Sequence, residues 1–136
     1  MNGFLKSAIF PLVCCHAVMA QDTHVSLANE IVDLLSQTEV CLNLCRDEES
    51  VREVLPQLQE LAKLAADIKE RQDKLPDLTP EEDREIASLI RTYLTLQRAI
   101  DEHVDRIIAE QLLSPELAAI LCISPDITPS SAPTTN

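Results

Sequence analysis

Cysteine thiols, a few histidines and many carboxylates are the groups in this 136-residue chain that could do chemistry. Cys41 and Cys45 stand four residues apart, one turn apart on the same face of any helix that carries them. Cys122 ends the last apolar segment, at Ala118-Ala119-Ile120-Leu121-Cys122. Three readings of these thiols are open. Cysteine packs as a small apolar residue and is among the most buried types. A disulfide from Cys122 to Cys41 or Cys45 would pin the end of the chain to its first helix and close a long loop, worth about 3 to 5 kcal/mol on the chain-entropy account. Two thiolates at this spacing can also face a soft ion such as Cu(I) or zinc, although two sulfurs fill only half of a structural zinc site and no neighbouring Cys or His completes it.

The histidines carry less. His103 lies in Asp101-Glu102-His103-Val104-Asp105, but a di-iron helix motif needs glutamate three positions before the histidine, and Ile100 stands there. A solvated or edge-of-core histidine is the expectation. His24 enters a square-planar amino-terminal copper site only if the chain is cut after Gln21, which would make it the third residue. Paired carboxylates occur at Asp101 and Asp105 and at Glu81 and Glu85, a spacing that acid-rich helices produce freely. Residues 21 to 136 contain no Gly-x-Ser-x-Gly, no His-Glu-x-x-His and no Cys-x-x-Cys-His. The expectation is a protein that is not an enzyme and uses no cofactor or metal.

Composition narrows the partners. Beyond Ala20 there is no glycine, tryptophan or phenylalanine, and Tyr93 is the single aromatic residue. Phosphate-cradling loops need glycine for close backbone approach, and sugar or single-strand sites lean on aromatic platforms, so both classes are excluded. Lys and Arg number 11 against 23 Asp and Glu, a formal net charge of −12, so nucleic acid is not expected as a partner.

These residues need an address and a frame. Residues 1–20 read MNGFLKSAIFPLVCCHAVMA: a cation at Lys6, an apolar stretch, then the small-residue pattern Val18-Met19-Ala20. That is the layout of a secretory signal peptide, cleaved after Ala20 or, alternatively, after Gln21. The chain is therefore expected to be exported, periplasmic or secreted, with no stable membrane insertion once the leader is removed. An exported chain with three remaining thiols has an odd count, which is a flag.

Helical periodicity runs from Val25 to Leu121 with no alternating stretch that supports a strand. The first helix is expected to begin near Asp22 or Thr23 and stop near Arg46-Asp47. Ser50-Val51-Arg52-Glu53 has the form of a capping box for the second, with Asp47 as a competing cap; Pro56 is expected to kink that helix or open another. Thr79-Pro80-Glu81-Glu82 caps the third, which should run to Leu112 or Leu113 with Ile86, Ile90, Tyr93, Ile100, Val104 and Ile107 on one seam. Ser114-Pro115-Glu116 opens a short fourth helix expected to cover the third helix's end. Acid-first pairs four apart, Asp67 with Arg71, Glu70 with Lys74 and Glu102 with Arg106, read as self-supporting solvated faces.

The expected fold is all-α: an up-down-up three-helix bundle over residues 21–123 with a short closing helix, followed by a disordered Ser/Thr/Pro tail over 124–136. Apolar residues on the third helix spread wider than one neighbour can cover, which points to a docking groove or dimer seam near Tyr93 and Leu94. The expected function is an exported, non-catalytic interaction protein whose partner is another protein or a second copy of itself. A thiol-based metal or redox carrier using Cys41 and Cys45, and an acidic inhibitor of a basic exported protein, are the alternatives.

Overall fold

A computed structural model describes residues 21–122 of the chain. The expected leader (1–20) and tail (124–136), together with residue 123, lie outside the described residues. Four helices follow one another: α1 (His24–Leu44), α2 (Glu48–Asp73), α3 (Pro80–Ala109) and α4 (Pro115–Ile120). The architecture is all-α and up-down-up, as the periodicity indicates. No helix among the described residues is long and apolar enough to cross a membrane.

Each helix starts on a side-chain cap that satisfies amides with no partner inside the helix. Thr23 and Ser26 exchange side-chain and backbone bonds at α1, and Thr79 and Glu82 do the same at α3 behind Pro80. At α2 the competing cap wins. Asp47 accepts from the Ser50 amide at 2.8 Å while the Ser50 hydroxyl accepts from the Asp47 amide at 3.0 Å, so Ser50 is the third helical residue and not the cap. The earlier start adds most of a turn and places Glu48 and Glu49 at the positive end of the helix dipole.

Pro56 opens no new helix; α2 runs from Glu48 to Asp73 with the proline inside it. Its missing N–H leaves the Arg52 carbonyl without a helical donor, but both residues are exposed and water can serve that oxygen. Val51, Val54, Leu58 and Leu61, all buried, hold the helix to its neighbours on either side of the proline.

The third helix stops at Ala109, short of Leu112. Gln111 takes a positive φ of 60°, its amide bonds the Ile108 carbonyl at 3.0 Å, and the Leu112 amide bonds the Ile107 carbonyl at 2.9 Å. This is a Schellman stop, which usually has glycine at the left-handed position; in a stretch with no glycine, glutamine fills it.

Helix α1 is the centre. Both α2 and α3 pack on it, α2 and α3 do not pack on each other, and α4 packs on α2. The short fourth helix therefore seals the α1–α2 turn instead of lying along the end of α3. The main core gathers there: Cys41, Leu42 and Cys45 of α1, Val51 and Val54 of α2, Ile107 of α3 and Leu117 of α4. Burying a leucine or isoleucine completely is worth about 1.5–3 kcal/mol each, and Leu42, Leu58, Ile107 and Leu117 are all essentially inaccessible.

Candidate functional site

The three thiols are not gathered into one site. Cys41 and Cys45 are buried in the core and Cys122 is exposed after α4, and all three are free. The Cys45 Sγ bonds back to the Cys41 carbonyl at 3.4 Å, as a mid-helix hydroxyl would. Burial pushes both thiols above their ordinary value, and for Cys45 the nearby Arg106 offsets part of that rise while Cys41 adds to it. Such groups stay protonated near neutrality, whereas metal binding and thiol exchange both require the thiolate. Among the described residues no group of three or more His, Cys, Asp and Glu side chains is placed to hold a metal ion.

The charged groups that matter act between helices. Arg71 does pair with Asp67 on its own helix, at 2.9 Å, but it also crosses to α1. There its guanidinium donates to Asp22 at 3.0 Å and to both carboxylate oxygens of Glu30. That partnership, the Glu30 hydrogen bond above all, holds Arg71 more firmly protonated than usual. The Glu102–Arg106 pair does not form. Arg106 instead donates to the Leu42 carbonyl at 3.0 Å and the Cys45 carbonyl at 2.8 Å. Helix α1 has no basic residue in its last turn; Arg46 just beyond it donates to the Asn43 carbonyl at 2.9 Å, and Arg106 of α3 brings a second cation to the same negative end. His103 is an edge-of-core residue whose Nε2 lies 2.8 Å from Glu39 Oε1 on α1, and none of its sequence neighbours Asp101, Glu102 or Asp105 engages it. His24 bonds the Pro76 carbonyl at 2.6 Å, tying the α2–α3 connection to the start of α1.

What remains is an open apolar groove. The expected α3 seam splits along its length: Ile100 and Ile107 are buried, while Ile90 is 50% and Tyr93 40% exposed. Helix α2 does not pack on α3, and α4 lies at the far end, so among the described residues the first half of α3 packs against α1, with Gln72 of α2 and Leu78 of the α2–α3 connection bordering the space between them. Between them runs a cavity of about 460 Å³, with Leu27, Ala28 and Ile31 on the α1 wall and Ile86, Leu89 and Tyr93 on the α3 wall. Its lining is mostly hydrocarbon, and its volume falls in the range of about 300–1,000 Å³ typical of binding sites.

No family model, curated protein or solved structure matches this chain. The groove is accordingly read from its own chemistry. Tyr93 lies in its wall; Leu94, 56% exposed, lies beyond Ile90 in a shallower depression of about 450 Å³ that also includes Arg91 and Arg98. Ile90 borders both depressions, so the two form one surface. Sequence reasoning pointed at the α3 wall but missed the α1 wall, because Leu27, which is buried, and Ile31, which is half-buried, read as ordinary core positions and nothing local says that a cavity opens beside them.

Proposed function

We propose that this chain is an exported, non-catalytic interaction protein whose working surface is the α1–α3 groove. The observation that carries the reading is the groove itself, an apolar channel between α1 and α3 that α2 and the α2–α3 connection border only through Gln72 and Leu78 among the described residues. A channel of this form suits an amphipathic partner helix that inserts apolar residues at successive turns. The alternatives have less behind them. A thiol carrier needs accessible thiolates, and Cys41 and Cys45 are buried and held protonated. An acidic inhibitor has only net charge in its favour.

The test places a photo-reactive leucine analogue at position 94 and, as a control, at the exposed Lys69 of α2, then cross-links in the cells that export the protein. The expected result is one reproducible adduct from position 94 that Lys69 does not give and that Ala28→Trp, which fills the groove, abolishes. Identical adducts from both positions, or an adduct indifferent to Ala28→Trp, would overturn the reading. Export is tested by intact mass, which should correspond to residues 21–136.

A further inference from the structure

We infer that the groove's occupant is an acidic amphipathic helix of a partner protein, its apolar face in the α1–α3 channel and its carboxylates on Arg91 and Arg98. This rests on the reading of the groove as a docking surface and names the partner's chemistry. The full chain carries −12, yet the fifteen residues Ile86 to Ile100 include no acid and two arginines. That stretch forms the α3 wall.

Neither Arg91 nor Arg98 pairs with a carboxylate among the described residues, although most other cations of the helices do. They stand seven apart on one stripe of α3, on either side of Leu94, and both line the depression that Ile90 joins to the groove. Asp101 and Glu102 follow Arg98 by three and four positions on α3 without pairing with it, and acids on the neighbouring elements are engaged elsewhere. Glu30 and Asp22 are held by Arg71, and Glu82 accepts from the Thr79 amide at 3.0 Å. The surface offered to a ligand is therefore apolar with a basic margin, on a molecule that is otherwise acidic.

A second copy of this chain is a poor occupant, because pairing α3 stripes brings arginine near arginine and the two bodies repel. An anionic membrane meets Leu94 and the arginines, but a flat surface leaves the channel between Leu27 and Leu89 unfilled while the remaining carboxylates oppose approach. A helix with apolar residues at successive turns and glutamates at a seven-residue spacing satisfies both features. Arg91 to Arg98 spans roughly 10 Å of helix axis, so about 15 partner residues suffice to engage both arginines and the channel.

The probe is a displayed library of amphipathic helices of about 15 residues, with a fixed leucine face and flanking positions randomised among Glu, Lys, Gln and Ser, selected on the exported protein. Enrichment of Glu is expected. Selected clones should bind the double variant Arg91→Glu/Arg98→Glu about tenfold more weakly, and clones with Lys in place of Glu should prefer that variant. Both arginines are exposed, so the double variant should keep its fold, which circular dichroism verifies. Enrichment of Lys or of neutral residues, or affinities unmoved by the double variant, would sink the acidic partner while leaving the groove reading intact. Clones that bind Ile90→Glu and Ala28→Trp as well as the parent would sink the groove reading too. A change in Tyr93 fluorescence with phosphatidylglycerol vesicles, without preference among the peptides, would replace the helix with a lipid surface.

Discussion

The two ends of the bundle are made from the same three helices and differ in what is laid against them. At the end where α1 turns into α2, the short α4 closes over Leu42, Val51 and Ile107, and Arg106 ties α3 to the last carbonyls of α1. At the other end nothing among the described residues takes the place of α4. Leu27 and Ile68 are buried there outside the main cluster, and the elements are joined by polar ties, His24 to Pro76 and Arg71 to Asp22 and Glu30. The first end holds the main core, while the other leaves Leu78, Ile90, Tyr93 and Leu94 exposed around the groove.

The comparison breaks most directly with a pair of truncations. Leu42→Ala should destabilise by about 2–5 kcal/mol in urea unfolding, since it opens a cavity in the closed core. Ile90→Ala, at the rim of the groove, should stay within about 0.5 kcal/mol of the parent. Equal losses would mean that the groove is part of the stabilising core and that the division is wrong.

Arg106 sharpens the same contrast. Arg106→Met keeps most of the aliphatic stem and removes the two charge-assisted bonds to α1, so the expected cost is about 2 kcal/mol. Arg98→Met, eight residues earlier and without a carboxylate partner, should change stability little while weakening the proposed docking. If the two variants unfold at the same denaturant concentration, the capping role of Arg106 is mistaken. A smaller effect of opposite sign is expected at the α3–α4 stop: Gln111→Gly relieves a left-handed residue and should stabilise by about 0.5 to 1 kcal/mol, after allowing for glycine's greater freedom in the unfolded chain.

How far the sequence could be read follows the range of the interactions. The Thr79-Pro80-Glu81-Glu82 start is local, complete within four residues, and the structure has it as written. The choice of Asp47 over Ser50 as cap was one of two local options, decided by the extra turn that the earlier start permits. Arg71 and Arg106 are different. Their partners Glu30 and Cys45 lie 41 and 61 residues away, so each looked like half of a surface pair on its own helix. The groove is the most non-local feature. An apolar position at Ile90 is the same letter whether α2 covers it or not, and only the packing of α2 and α3 on separate sides of α1 decides which.

The smallest predicted effect concerns acid, and it compares one cap from each end. Asp47 and Glu82 both sit below their ordinary carboxylate range, Asp47 chiefly through the Ser50 amide and Glu82 chiefly through the Thr79 amide. A carboxyl depressed in the folded state contributes stability above its unfolded value, and that contribution is lost as pH falls through about 4 toward the folded value. Acidification also relieves the repulsion among the other carboxylates of a −12 chain, an effect of opposite sign, so the parent's own pH profile mixes the two. The difference between parent and variant isolates the caps. Asp47→Asn keeps a capping oxygen that does not titrate, and Glu82→Gln keeps a capping-box side chain at α3. Each should make the thermal midpoint fall less between about pH 6 and about pH 3 than in the parent. Glu82→Gln should in addition loosen the start of α3 beside the groove, which amide exchange at Asp83 and Glu85 can follow separately from the Asp47 end. If neither substitution changes the acid slope, the two carboxylates are solvated bystanders and the caps rest on their hydroxyl and backbone partners alone.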